Sequence, residues 1–406
     1  MQKRVFSFVV LLMIEFAAVW GCWTSPALAL TEEQKLLNEA WRIVNRSYVD
    51  NTFNHHNWWK VREEAIKAPL SSREETYAEI QEMLALLDDP FTRLLKPEQY
   101  RSLQVTTSGE LTGVGLQIGL EPQTGILMVV APLAGSPADR AGLLPRDRIL
   151  EIDGVSTAEL TLDEAATKMR GQIGTPVVLT IAREGSDTTL SIRVVRDRIA
   201  VNPVYAELRS TESGLLVGYI RLAQFSANAL PEITKAIKSL EQQGANAYVL
   251  DLRNNPGGLL QAGIEIARLW LDEGTIVYTV NRQGVFGSFE ASGEPLTRDP
   301  LVLLVNRGTA SASEILAGAL HDNGRAKLVG ETTFGKGLIQ SLFDLSDGSG
   351  LAVTVAKYET PNHTDINKRG IVPDEIVALD PTHGDRIGGE TDSQYQAALE
   401  ILTNEN

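Results

Sequence analysis

The most constraining feature of this sequence is a short apolar strand that runs directly into a helix. Residues 301–305, LVLLV, form a continuous apolar run that predicts a buried strand. The turn-forming residues 306–308 follow, and Ala, Ile and Leu then predict a helix to about residue 320. Ser311 therefore lies where a strand turns into a helix. A hydroxyl at this position is exposed, and the first free N–H groups of the helix point toward whatever it attacks.

A second loop supplies a base for such a nucleophile. Lys336 lies between Gly335 and Gly337, so the backbone can pack tightly around it. The nearest histidine, His321, is ten residues beyond Ser311. Ten residues of helix rise about 15 Å, which places His321 beyond the reach of a hydrogen bond. The lysine is therefore the better candidate for the base.

A lysine base must lose its proton near neutral pH. Ser–Lys hydrolases achieve this when burial in an apolar pocket lowers the lysine pKa from about 10.4 to about 7. We expect Phe334, Leu338 and Ile339 to form such a pocket around Lys336. Gln340 can orient the amine through its amide oxygen without adding a negative charge that would retain the proton.

The two loops together resemble the catalytic core of the C-terminal processing peptidases, a family of Ser–Lys serine proteases. The family pattern of Ser-Ala-Ser-Glu, Gly-Lys-Gly and Gln is present at residues 311–314, 335–337 and 340. The step of 25 residues from Ser311 to Lys336 is the family's spacing between nucleophile and base, and Ser313 does not have that spacing. The resemblance implies Ser311 as nucleophile, Lys336 as base and Gln340 as its orienting group. It calls for no metal and no organic cofactor.

The first 29 residues predict a secretory leader. A basic start is followed by an apolar run, which only Glu15 interrupts, and by an Ala-x-Ala site at residues 27–29. Cleavage after Ala29 is the preferred interpretation, and lipidation of Cys22 is the alternative. Because Cys22 is the only cysteine, the mature chain is predicted to contain no disulfide. No later stretch has the roughly 18 to 20 apolar residues that span a bilayer.

The formal net charge of −15 restricts the partners. An acidic chain is not expected to bind nucleic acid or to dock electrostatically on anionic lipid. Contact with a membrane is therefore expected only through the substrate.

Four segments follow the leader, and together they predict an α+β multidomain fold. Residues 30–106 carry apolar residues at helical spacing and predict a helical N-terminal domain. Residues 107–198 consist of short strands punctuated by glycine and proline, whereas residues 199–385 alternate strands and helices in the α/β manner. Residues 386–406 form a tail with one predicted helix at 393–402. The histidines at 55, 56 and 363, and Asp365, are interpreted as surface residues.

The segment at 107–198 resembles a PDZ domain of the permuted, protease-associated kind. Such domains add an extended peptide to a sheet edge and hold its C-terminal carboxylate on backbone N–H groups. Gly113, Val114, Gly115 and Leu116 match the carboxylate-binding loop, and a plain glycine-rich hairpin is the alternative. Arg170 follows a predicted helix at 162–169. It contacts the peptide carboxylate or the catalytic domain, or it is an ordinary helix-end cation favoured by the helix dipole.

The last segment resembles an α/β protease domain of the crotonase or ClpP type. Its predicted strand at 247–253 is almost wholly apolar and ends at Asn-Asn-Pro-Gly-Gly, where α/β folds place ligands. The family resemblance assigns the N–H groups of Gly257 and Ala312 to an oxyanion hole. The physics agrees, because a glycine lets the backbone approach a substrate carbonyl.

These features predict an exported Ser–Lys endopeptidase that trims the C-terminus of a protein substrate. Several segments, among them EAWRIVNRSYVD and TSGELTGVGLQIG, resemble the photosynthetic branch of the family, which processes the D1 protein of photosystem II. That resemblance implies the D1 precursor as substrate and the thylakoid lumen or periplasm as location. The alternatives are a general periplasmic tail-specific protease, a PDZ-bearing scaffold with an inactive protease domain, and a crotonase-like hydratase.

Overall fold

The computed structural model describes residues 30–121, 124–133, 135–186, 188–378, 388–389 and 391–404. The predicted leader with Cys22 and the predicted boundary at residue 385 lie outside these residues. The chain forms two compact units, Met1–Leu94 with Leu342–Val353 and Leu95–Ser341 with Thr354–Asn406. Within the described ranges, no helix combines the length and the apolar character needed to cross a bilayer.

The first unit contains the helices α1 (Glu32–Ser47), α2 (Trp58–Ala65) and α3 (Arg73–Ala85). The Thr31 hydroxyl caps α1 by accepting a hydrogen bond from the Gln34 N–H, and the Gln34 side chain accepts one from the Thr31 N–H. The apolar residues at helical spacing are all buried, namely Leu36, Leu37, Ala40, Trp41 and Val44. The helical expectation is confirmed here, although the predicted segment 30–106 extends into the second unit.

The strand β1 (Arg93–Leu95) crosses the boundary between the units, and α4 (Pro97–Ser108) follows it. Next comes an antiparallel two-stranded ladder of β2 (Glu110–Gly113) and β9 (Asp197–Ala200). The residues between these two strands form an antiparallel sheet and the helices α5 (Pro137–Arg140) and α6 (Leu162–Met169).

That sheet has β3 (Leu116–Leu120) at one edge. The strand order is β3, β4 (Leu127–Pro132), β5 (Arg148–Ile152), β7 (Pro176–Ala182) and β8 (Leu190–Val195), with β6 (Val155–Ser156) beside β5. An edge strand can pair with a further strand, so β3 is suited to the addition of a peptide.

The remaining part of the second unit is built on a six-stranded sheet. Its order is β10 (Val204–Ser210), β11 (Leu216–Leu222), β12 (Ala247–Asp251), β15 (Leu301–Val305), β16 (Lys327–Gly330) and β19 (Glu375–Ile376). All neighbours are parallel except β10 and β11. Every residue of β12 and β15 is buried, as their apolar sequences predict.

Helices cover both faces of this sheet. The helices α7 (Ala229–Gln242), α8 (Leu260–Arg268) and α9 (Ala312–Asp322) share one core with Tyr248 and Leu250 of β12. Ala247 and Val249 of β12 belong to a second core with α10 (Ser393–Asn404), which confirms the helix predicted in the tail. The other strands are β13 (Glu273–Asn281), β14 (Gly284–Ser292), β17 (Leu338–Asp344) and β18 (Gly350–Glu359), of which β13 pairs antiparallel with β14 and β18.

A buried ion pair network attaches α10 to the sheet. The Arg253 guanidinium donates to Asp251 Oδ2 at 2.6 Å and to Asp392 Oδ2 at 2.7 Å, and all three residues are buried. Burial alone would raise the pKa of Asp392, but hydrogen bonds from Arg253 and from the Gly388 and Tyr395 N–H groups outweigh burial and lower it.

We expect Asp392→Asn to lower the free energy of unfolding at pH 7 by about 2–4 kcal/mol, because Arg253 loses a buried counter-charge. The folded-state pKa of Asp392 is depressed, so its contribution is complete above the unfolded value of about 3.9 and is lost as pH falls through the folded value. Urea unfolding at pH 7 and near pH 3 should therefore show a smaller difference at low pH. Asp272→Asn, which removes an exposed partner of Arg298, is the control and should change stability by less than about 0.5 kcal/mol. An equal loss at both pH values would contradict the prediction.

Candidate active site

Ser311 lies between β15 and α9, which confirms its predicted position at a strand-to-helix turn. Its backbone has φ 58° and ψ −118°, a conformation that few residues other than glycine adopt. Such strain costs about 1–3 kcal/mol and persists only where neighbouring contacts impose it.

Those contacts come from the loop after β12. The Asn254 N–H donates to Asn306 Oδ1 at 2.9 Å, and Asn306 Nδ2 donates back to Asn254 Oδ1 at 3.0 Å. The Thr309 hydroxyl accepts from the Asn306 N–H at 3.0 Å and donates to Leu252 O at 2.9 Å. The turn that carries Ser311 is thereby fixed to the carboxyl end of the adjacent strand.

Glu314 connects the Ser311 turn with the Lys336 loop. Its side chain is fully buried, and Oε2 accepts hydrogen bonds from the N–H groups of Ser311 and Lys336, both at 2.9 Å. Oε1 accepts from the Thr333 hydroxyl at 2.5 Å and from the Gly335 N–H at 2.7 Å. Because one oxygen binds both, the backbone nitrogen atoms of Ser311 and Lys336 lie within about 6 Å of each other.

Glu314 is part of the Ser-Ala-Ser-Glu motif at residues 311–314, but the sequence alone predicted no role for it. The available signal was the Ser-x-x-Glu spacing of a capping box, in which the glutamate reaches back to the N-cap N–H. That bond is present. The bonds to residues 333–336 could not be read from this spacing.

Tyr358 forms a second connection between the two loops. Its hydroxyl donates to Ser311 O at 3.2 Å, and its N–H donates to Gly337 O at 3.1 Å. Burial, with the negative charge of Glu314 in addition, raises the pKa of Tyr358 well above its usual value. The hydroxyl therefore stays protonated and remains a donor.

The glycines beside Lys336 are required by close packing, as the sequence predicts. Gly335 has φ 85°, and a Cβ there would lie 2.8 Å from the backbone nitrogens of Arg369 and Gly370. A Cβ on Gly337 would lie 3.0 Å from Asn367. The loop consequently holds the Lys336 backbone rigidly, with the lysine half-buried.

The prediction that Phe334 helps to form a buried apolar pocket around Lys336 is wrong. The Phe334 side chain is 56% exposed, whereas Leu338 and Ile339 are half-buried and Ile339 packs against the main core. Hydrogen bonds to Glu314 hold the Thr333 hydroxyl and the Gly335 N–H inward on either side of Phe334, and the Phe334 side chain faces solvent.

Gln340 lies on β17, four residues beyond Lys336. Its amide nitrogen donates to Thr354 Oγ1 at 3.4 Å, a long hydrogen bond. This contact places the amide on β18, and the predicted orientation of Lys336 by the amide oxygen stays a prediction.

The structure brings Gly257 next to the Ser311 turn, as expected for an oxyanion loop. Gly257 has φ 93°, and a Cβ on it would lie 2.8 Å from the Ala312 nitrogen and 2.9 Å from Ser311 Cβ. Its N–H, however, donates to Asn255 Oδ1 at 2.9 Å. To bind a substrate oxygen, the Gly257 N–H must break its hydrogen bond to Asn255 Oδ1.

Asn255 also binds the hydroxyl of Ser313, the second serine of the motif. The Asn255 carbonyl accepts from the Ser313 hydroxyl and from the Ala310 N–H, both at 3.0 Å. Ser313 is fully buried. Its hydroxyl therefore supports the turn and has no access to a substrate, in contrast with Ser311.

The histidines lie away from this arrangement. His321 is in the last turn of α9, where Nδ1 contacts Asp322 at 2.9 Å and Nε2 lies 3.6 Å from Asp374. His55, His56, His363 and Asp365 are exposed, as predicted.

A second site lies between β3 and α6. A cleft of about 100 Å³ is lined by all five residues predicted for peptide binding, Gly113, Val114, Gly115, Leu116 and Arg170. The Val114 carbonyl accepts from the Ala138 N–H at 2.8 Å, and the Gly115 carbonyl accepts from the Leu133 N–H at 2.9 Å. In a trans peptide the C=O and the following N–H point in opposite directions. The N–H groups of Gly115 and Leu116 are thus directed away from these donors.

Two arginines lie near the end of α6. Arg196, which sequence reasoning missed, is buried and donates to the carbonyls of Lys168 and Met169 at 2.8 and 3.1 Å. It therefore supplies the cation at the carboxyl end of the helix. Arg170 is exposed, and its Cγ lies 3.8 Å from where a Cβ on Gly113 would be. Its side chain stands at the rim of the cleft.

The ladder of β2 and β9 is attached to the segment of residues 225–228. Asn228 Nδ2 donates to the carbonyls of Gly109 and Val201, which lie opposite each other at the end of the ladder where β2 begins and β9 ends. Three residues earlier, the Phe225 N–H donates to Gly257 O at 3.0 Å, and Phe225 O accepts from the Leu259 N–H at 2.7 Å. One short segment thus contacts both the ladder and the Gly257 loop.

Two family models match the chain: a PDZ domain at residues 128–183 and peptidase family S41 at residues 216–377. These matches confirm the predicted combination of a PDZ domain with a protease domain, and they place all catalytic candidates within the second model.

Several known proteins are similar over most of the chain. A carboxyl-terminal-processing protease of Picosynechococcus sp. is 60% identical over 403 residues, which is 99% of this chain and 97% of that protein. Carboxyl-terminal-processing peptidase 2, chloroplastic, of Arabidopsis thaliana is 48% identical over 90% of this chain and 73% of its own length. Among solved structures, a photosystem II D1 C-terminal processing protease is 42% identical with a TM-score of 0.57, covering 86% of this chain and 94% of that chain.

We expect Glu314→Gln to lower kcat for peptide cleavage about 100-fold or more, because an amide NH2 would face two of the four donors and displace the Ser311 turn or the Lys336 loop. Circular dichroism should show a folded chain. Glu331→Gln is the matched control, since the Glu331 carboxylate lies 3.8 Å from the exposed Arg307 guanidinium, and it should keep the parent kcat. Parent activity in Glu314→Gln would contradict the role of Glu314.

Proposed function

Because this chain belongs to peptidase family S41 and is a C-terminal processing protease of that family, we propose that Ser311 is its nucleophile and Lys336 its general base. The observation that carries this proposal is the bonding of both N–H groups to one oxygen of Glu314. A nucleophile and a base must be held within a few ångströms of a productive geometry, and a shared buried acceptor does this for their backbones.

In the proposed mechanism, the neutral Lys336 amine takes the proton of the Ser311 hydroxyl while Oγ attacks the scissile carbonyl. The same proton then goes to the leaving amine, and water releases the acyl group by the reverse sequence. Gln340 orients the Lys336 amine.

The N–H groups of Ala312 and Gly257 stabilise the developing oxyanion. The Gly257 N–H must leave Asn255 Oδ1 for this purpose. An oxyanion is the stronger acceptor of the two, because a hydrogen bond to an ionised group is about twice as strong as one between neutral groups.

The PDZ segment binds the substrate's C-terminus. An extended peptide adds to the edge strand β3, and its carboxylate binds the N–H groups of Gly115 and Leu116 in the loop that begins at Gly113 and Val114. Arg170 contributes a positive charge at the rim. Arg196 supports this role for Arg170, because it already serves as the helix-end cation.

The substrate is the precursor of the D1 protein, and the site of action is the thylakoid lumen or the periplasm after export by the leader. The support is the similarity to a D1 C-terminal processing protease and to a chloroplastic relative. To test the substrate, the mature protein is incubated with a peptide that carries the D1 C-terminal extension, and mass spectrometry locates the cut. Cleavage of unrelated free-acid peptides with equal efficiency would favour the general tail-specific protease instead.

For the dyad, we expect Lys336→Arg and Ser311→Ala to be inactive, because guanidinium keeps its proton at usable pH and alanine has no hydroxyl. Parent activity should rise with pH along one ionisation between neutrality and the pKa of a free lysine, as the base loses its proton. Initial rates of peptide cleavage from pH 6 to 10 measure both effects. Ser313→Ala is the control and should keep most of the activity. Appreciable turnover by Lys336→Arg would refute the dyad.

For the PDZ segment, we expect amidation of the substrate's C-terminus to lower kcat/KM about 10- to 100-fold. A charge-assisted contact contributes about 1.5–3 kcal/mol, and about 1.4 kcal/mol corresponds to a factor of ten. Arg170→Ala should reduce this penalty, whereas Lys168→Ala, which removes an exposed cation from the last turn of α6, should leave it unchanged. Equal cleavage of acid and amide by the parent enzyme would leave the PDZ segment without a role in reading the carboxylate.

A further inference from the structure

Phe334 is a large apolar side chain that is exposed beside the proposed base. It is 56% exposed and lies two residues before Lys336, while its neighbours Thr333 and Gly335 are buried. A single exposed apolar residue on an ordinary surface needs no explanation. This one belongs to the loop that carries the base, and its own backbone contacts the nucleophile turn.

The exposure of Phe334 does not come from a loosely held backbone. The Phe334 N–H donates to Thr309 O at 3.0 Å, two residues before Ser311. On either side, the Thr333 hydroxyl and the Gly335 N–H donate to Glu314. The ring is therefore exposed on a fixed segment of backbone, which is bonded to the turn of Ser311 and is followed two residues later by Lys336.

Lys336 is only half-buried in this arrangement. A lysine becomes a base near neutral pH when water is removed from its surroundings, because desolvation disfavours the charged amine. An apolar substrate side chain that lies on the Phe334 ring would cover the ring and also exclude water from the lysine next to it. Burial of this apolar surface is itself favourable.

We propose that Phe334 is a specificity-determining residue, which contacts an apolar substrate side chain adjacent to the scissile bond and thereby completes the desolvation of Lys336. The inference rests on the proposed Ser–Lys function. It adds a substrate preference and makes the base depend on the bound substrate.

Two series of free-acid peptides test the preference. One series varies the residue before the scissile bond and the other varies the residue after it, each with Leu, Ala and Asn, of which Leu and Asn have similar size. The parent should prefer Leu over Asn at least about tenfold in kcat/KM at one of the two positions. Phe334→Ala should bring that ratio close to one, and Phe334→Leu should retain most of it.

Tyr205→Ala is the matched control, because Tyr205 is 55% exposed on β10, at the opposite edge of the sheet from β16 and β19. It should keep the parent ratio at both positions.

The pH profiles test the desolvation. The profile of kcat/KM reports the free enzyme, whereas that of kcat reports the substrate complex. For the parent with a Leu peptide, the ionisation of the base should lie at lower pH in kcat than in kcat/KM. In Phe334→Ala the two should coincide, an effect that a merely structural role of Phe334 would not produce.

An unchanged Leu-to-Asn ratio in Phe334→Ala at both positions would overturn the inference, and so would an equal loss of the ratio in Tyr205→Ala. These outcomes are distinct from failure of the proposed function. That failure would show itself as turnover by Lys336→Arg or Ser311→Ala, whatever residue is at position 334.

Discussion

The geometry of the candidate site depends on one buried carboxylate. Removing an ionised group from water costs several kcal/mol unless hydrogen bonds replace those of the solvent. Glu314 has no exposed surface, and its four donors come from the Ser311 turn and from residues 333–336. Because these bonds are satisfied only when both loops are in place, the loops stabilise each other. The spacing between the backbones of the proposed nucleophile and base is thus set by the buried Glu314.

The cleft beside β3 and the loop of Gly257 are both connected to the stretch from Phe225 to Asn228. Asn228 binds both strands at one end of the β2–β9 ladder, which leads into and out of the PDZ segment, and Phe225 pairs with the loop of Gly257 and Gly258. The cleft itself is supported from below by Arg196, directly before β9. A few side chains with long-range partners therefore position the two elements that are proposed to contact a substrate.

Local patterns in the sequence were sufficient to predict the buried strands β12 and β15, the turn at Ser311 and the loop from Gly113. Each of these follows from residues that are close together in the chain. The roles of Tyr358 and Arg196 could not be predicted, because their partners lie 47 and about 27 residues away. The exposure of Phe334 was missed for a related reason: hydrophobicity indicates what a side chain prefers, whereas hydrogen bonds of the neighbouring backbone decide where it points.

The backbone at Ser311 also limits which amino acids can occupy the position of the proposed nucleophile. With φ at 58°, a β-branched side chain is strongly disfavoured, so threonine, whose hydroxyl is chemically equivalent, does not fit. Gly257 adds to this restriction, since the position of its absent Cβ is only 2.9 Å from Ser311 Cβ. The turn therefore favours a nucleophile that is unbranched at Cβ, which serine is and threonine is not. For the proposed nucleophile, backbone shape is thus a restriction in addition to reactivity.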